Sequence, residues 1–104
     1  MKMLMIVFRE SLEEDVMKVL KELGVTAFTE LPSVIGAGET RASFQAFRSL
    51  VSAQSNSMVL TALADEDAEK VIAGLHAYRD RSAQRQHGAY IPLRVFTLPC
   101  DQVV

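Results

Sequence analysis

Gly36-Ala37-Gly38-Glu39-Thr40-Arg41, running on through Phe44, Phe47 and Arg48 to Ser55-Asn56, is a long stretch, polar over much of its length. It stands between two segments that read as β-strands. Connections in compact domains usually run to about 4 to 6 residues, and structureless loops beyond about 12 to 15 are as a rule functional or disordered. The 36–56 segment therefore splits the chain into two halves and marks itself as a contact element for a ligand or a partner.

Before the segment, Met3 to Phe8 is an unbroken apolar run that reads as a buried strand. Ser11 followed by Glu14 is a capping-box signature, and Leu12, Val16, Val19, Leu20 and Leu23 recur at helical spacing until Gly24 stops the pattern. Val25 to Ile35 reads as a second strand. Pro32 places it at an edge or gives it a bulge, because proline cannot donate to a sheet ladder.

After the segment, Met58 to Leu63 reads as a third strand. Asp65 is expected to cap a second helix, with Val71, Ile72, Leu75 and Tyr78 as its inward stripe and Glu66, Asp67 and Glu69 suiting its N-terminal dipole. That helix is expected to fade between Arg81 and His87. A fourth strand follows, from Ile91 or Arg94 to Leu98, ended by Pro99.

The order β-α-β, long loop, β-α-β is an α+β, ferredoxin-like βαββαβ plan: a four-stranded antiparallel sheet with both helices on one face. Two helices leave the other face open, yet Met3 to Phe8 and Met58 to Leu63 are apolar at both alternating sets of positions. A sheet with one wet face should alternate polar and apolar residues. A second copy of the chain is therefore expected on that face, and a symmetric homo-oligomer closes it most simply.

With 104 residues, 49% of them apolar, the chain fits one domain spanning 1–104. A net charge of -2 with no basic block argues against nucleic acid, whose phosphates are held by clustered Lys and Arg. The single cysteine, Cys100, excludes an intrachain disulfide, and no apolar run is long enough for an integral membrane helix. Met1 to Phe8 is too short for a signal peptide and is broken at once by Arg9-Glu10, so a cytoplasmic setting is expected. No serine, histidine and acid set and no carboxylate pair points to catalysis, and the acidic run Glu13-Glu14-Asp15 reads as a solvated helix face. The expectation is a protein that is not an enzyme.

Gly36 and Gly38 follow a strand and either free backbone N–H groups for an anion or act as hinges to the segment. Phe44 and Phe47, flanked by Arg41 and Arg48, either insert into a partner or fold back over the sheet. Arg79, Arg81, Arg85, His87 and Arg94 gather cations near the end of the second helix. They either complement its C-terminal dipole or present guanidinium forks to a phosphate or carboxylate. His76, His87 and Cys100 match no metal-ligand spacing, and no metal site is expected.

Two short stretches, together with the plan, resemble the PII signal-transduction proteins. Thr29-Glu30, closing the second strand before a glycine-bearing loop, is similar to that family's Thr-Glu followed by Gly-x-Gly, and Arg94-Val95-Phe96-Thr97-Leu98-Pro99 is similar to its Lys-Ile-Phe-Val-Leu-Pro. The resemblance implies a homotrimer, with 36–56 as the T-loop that contacts a target protein such as a transporter or enzyme. It implies an effector cleft between subunits, with ATP, ADP and AMP as the candidate ligands. Gly36, Gly38, Glu39, Arg41 and Arg94 are then the ligand-contact candidates, and Phe44, Phe47 and Arg48 the partner-contact candidates. Ile91-Pro92-Leu93 stands where the family has Gly-Asp-Gly before its lysine, so the resemblance is to a divergent member, with Arg94 matching the lysine position. The alternatives are a CutA-like metal-binding trimer of the same fold and an oligomerisation module without a ligand.

Overall fold

The computed structural model describes residues 1–35 and 55–104. Among these the order is β1 (Lys2–Arg9), a single 3-10 turn (Glu10–Leu12), α1 (Glu13–Glu22), β2 (Thr29–Ile35), β3 (Ser55–Leu63), α2 (Asp65–Arg85) and β4 (Leu93–Pro99). The strands form one antiparallel sheet in the order β2-β3-β1-β4. This is the expected ferredoxin-like architecture.

Alternation along β1 explains the two faces. Leu4, Ile6 and Phe8 are fully buried against the helices, and Met3, Met5 and Val7 between them turn to the opposite side and stay half-buried. Val59 of β3 joins the same core with Val16 and Leu20 of α1 and Val71, Leu75 and Tyr78 of α2. Thr61, also buried, donates its hydroxyl proton to the Ala27 carbonyl at 2.8 Å and so satisfies its polar atom. On the far side, Met5 lies between Leu60 and Phe96, and Met3 between Ala62 and Leu98. That face is apolar and open: Phe96 is 52% and Leu98 48% exposed.

Both helices end in the same way. Gly24, at φ 85°, lets its own N–H reach the Lys21 carbonyl and the Val25 N–H reach that of Leu20, with Leu20 and Val25 both buried. After α2 the Gly88 N–H reaches the Ala83 carbonyl at 2.7 Å and the His87 N–H that of Gln84 at 3.2 Å. There the left-handed position is held by His87, at φ 58°.

The structure corrects several local expectations. The chain leaves β1 straight into the 3-10 turn, so Ser11 lies inside that turn and Leu12 takes the N-cap of α1, with no side-chain cap. Asp65 is the first residue of α2 rather than its cap. Its carboxylate instead pairs with the Met1 amine at 3.0 Å. β2 starts at Thr29, not Val25, so Thr29-Glu30 opens that strand instead of closing it. β3 already includes Ser55 and Asn56. Pro32 meets both of its expected readings, since β2 is an edge strand with a register shift between Leu31 and Val34.

Candidate functional site

The turn from α2 into β4 builds the site. Past the end of α2, His87 and Gly88 reverse the chain, and Ile91 then plugs into the core at 3% exposure. The Pro92 carbonyl accepts the Arg9 N–H at 3.1 Å, which ties the incoming segment to the end of β1. Between the Gly88 turn and these anchors Tyr90 is held outward, 70% exposed. Arg94, in register with Val7 on the open face of the sheet, follows one residue into β4.

These groups border a cleft of ≈ 390 Å³ whose lining includes Arg79, Asp80, Tyr90, Ile91 and Arg94. Two guanidinium groups against one carboxylate leave it positive. The Arg79 Nε to Asp80 Oδ1 separation is 4.0 Å with both side chains exposed, and such a pair is weak and leaves most arginine donors available. Arginine forks match phosphate or carboxylate oxygens, and a tyrosine ring offers a flat apolar surface beside them.

Arg94, expected at the site, lies in this cleft together with Arg79 from the cation group near the end of α2. Arg81, Arg85 and His87 do not line it. Tyr90 was missed; an aromatic residue after Gly88-Ala89, in a turn too short to bury it, was the available signal. Gly36, Gly38, Glu39, Arg41, Phe44, Phe47 and Arg48 lie outside the described residues.

The topology does place the ends of that segment. Ile35 and Ser55 are paired at the same end of the sheet as Phe8 and Leu93. They belong to β2 and β3, whereas Arg94 is on β4, the opposite edge. Three strand spacings separate the two edges, about 14 Å.

Across the sheet, Glu13 at the start of α1 faces Glu30 of β2. The hydrogen bond to Glu30 and that group's charge hold the Glu13 carboxyl above its ordinary value. This carboxylate pair was not foreseen from the sequence. On the other side of α1, the Tyr78 hydroxyl donates to Asp15 Oδ2 at 3.4 Å, and burial pushes the phenol up. Among the described residues no group of three or more His, Cys, Asp or Glu side chains is placed to hold a metal ion. No helix among them is long and apolar enough to cross a membrane.

The sequence profile of nitrogen regulatory protein P-II matches residues 1–104, and the chain belongs to that family. Comparison with curated proteins finds no match. Among solved structures it is similar to CPII, a nitrogen regulatory PII-like protein from Thiomonas intermedia K12, bound to ADP, AMP and bicarbonate. The TM-score is 0.61 at 18% identity, over 93% of this chain and 86% of that one. CPII bound to ADP, AMP and acetate gives 0.59 at 19% identity, over 92% and 81%. A PII-like signaling protein from Thermus thermophilus gives 0.55 at 18% identity, over 93% and 82%. At these identities the likeness establishes the fold.

Proposed function

We propose that this chain is a regulatory protein that assembles as a homotrimer, binds an adenine nucleotide between subunits and reports it to a target protein through the 36–56 segment. The observation that carries this reading is the shared cleft of Arg79, Tyr90 and Arg94, at the end of the sheet from which that segment departs. An anion attached to a flat ring suits two guanidinium forks beside a tyrosine. The ADP and AMP held by CPII are ligands of that chemistry.

The opposite edges support a site shared between copies. Within one chain the β4 cleft and the root of the segment at β2 are kept apart by the width of the sheet. A neighbouring copy that brings its β2 edge beside this β4 edge joins them, and it also covers the apolar face of Phe96 and Leu98. A cyclic trimer meets both needs with one repeated contact.

In this mechanism Gly36, Gly38, Glu39 and Arg41 of one subunit meet the effector held by Arg94 of the next. Phe44, Phe47 and Arg48 then meet the target, a transporter or an enzyme in the cytoplasm. The effector biases the segment only to the extent that it binds one conformation better than another. No bond is made or broken in the effector.

A thermal-shift titration with ATP, ADP and AMP tests the reading. Ligand at about 100 times its dissociation constant adds about 2.7 kcal/mol, which raises the melting point of a domain of this size by several degrees. The shift is expected with at least one nucleotide and is expected to vanish in Arg94→Ala. A shift that Arg94→Ala leaves intact would remove the cleft from the proposal.

A further inference from the structure

A second concavity of ≈ 260 Å³ lies on the helix side of the sheet, between α2 and the edge strand β4. Its floor is apolar: Leu75 and Leu93 are buried, and Ile72 and Val95 are half-buried beside them. Its rim is polar and carries donors. The Arg79 Nη2 stands 3.0 Å from His76 Nδ1.

A guanidinium has no acceptor, so in this contact Arg79 donates and His76 Nδ1 accepts. The imidazole then carries its proton on Nε2, which makes it a second donor beside a cation. Asp80, the carboxylate next to Arg79, borders the effector cleft and does not line this groove. Thr97 adds a hydroxyl farther along β4.

We infer that this groove is a binding site for a small monocarboxylate with a short apolar body, separate from the effector cleft. The arginine fork takes the carboxylate, the imidazole N–H supports it, and the chain of the acid lies on Ile72, Leu75 and Val95. A phosphate dianion would meet one guanidinium here against the two of the effector cleft, and an ammonium would meet Arg79. Arg79 also lines the effector cleft, so an acid that draws its side chain into the groove removes one of that cleft's cations.

Methyl NMR on the whole chain, titrated with hexanoate and with hexanol and hexylamine as controls, tests this. The expected result is saturable shifts of the Ile72, Leu75, Leu93 and Val95 methyl groups with hexanoate alone. Binding should weaken at least about tenfold in Arg79→Met and in His76→Phe, as the loss of a charge-assisted hydrogen bond implies. Arg94→Ala, which removes a cation from the other cleft, should leave the hexanoate shifts unchanged; this separates failure here from failure of the nucleotide reading. Equal shifts with hexanol, shifts that never saturate, or shifts that follow protein concentration instead of hexanoate would each overturn the proposal. The last would mean that another copy of the chain covers the groove.

Discussion

At the scale of single residues, the two helix ends are matched tests of one idea. A left-handed backbone costs an L-residue roughly 1–2 kcal/mol, and α1 avoids that cost with Gly24 whereas α2 carries it at His87. Gly24→Ala should therefore lower stability by about 1 kcal/mol. His87→Gly should raise the melting point by a few degrees, the difference between relieved strain and the backbone entropy of glycine. A calorimetric scan of the two variants checks both signs. Glu13 gives a pH test. Because Glu30 holds its carboxyl above 4.5, the folded chain keeps that proton more tightly than the unfolded chain. The resulting stability is fully present below pH 4.5 and is lost as pH rises through the raised value. Glu13→Gln is thus expected to raise the urea midpoint near neutral pH and to give no gain below pH 4.5.

At the scale of elements, periodicity was the readable signal. The alternation of Leu4, Ile6 and Phe8 with Met3, Met5 and Val7, and the helical stripe of Val71, Leu75 and Tyr78, are local patterns imposed by burial. β1 read only as an unbroken apolar run, and which of its two sets faces the helices was not legible; the helical stripe was legible before any coordinates. Helix starts were less so, because a cap depends on how the preceding strand hands over the chain. At Ser11 a 3-10 turn intervenes, and at Asp65 the Met1 amine takes the carboxylate, a contact set by the sheet rather than by neighbours in sequence. The cleft was half legible for the same reason. Arg94 carried a family likeness, whereas Arg79 and Tyr90 meet it only after Ile91 is anchored in the core. β1 is one of the two central strands, paired with both β3 and β4, and it supplies Leu4, Ile6 and Phe8 to the core. Phe8→Ala is expected to cost about 3–5 kcal/mol by urea unfolding.

At the scale of the whole molecule, the open face of the sheet and the distance between the β4 cleft and the β2 edge both favour the proposed assembly. Met3, Met5, Leu60, Phe96 and Leu98 share that face, and water is a poor cover for it. Phe96→Asp should leave the monomer folded, since Phe96 contributes nothing to the helix-side core, and should break the oligomer as read by light scattering. Native mass spectrometry of the chain with ADP tests the central claim most directly, because it reads assembly and ligand in one spectrum. The account predicts a trimer that carries ADP, with the nucleotide lost and the trimer kept in Arg94→Ala. A monomer that binds ADP equally well, or a trimer that takes up no nucleotide, would contradict it.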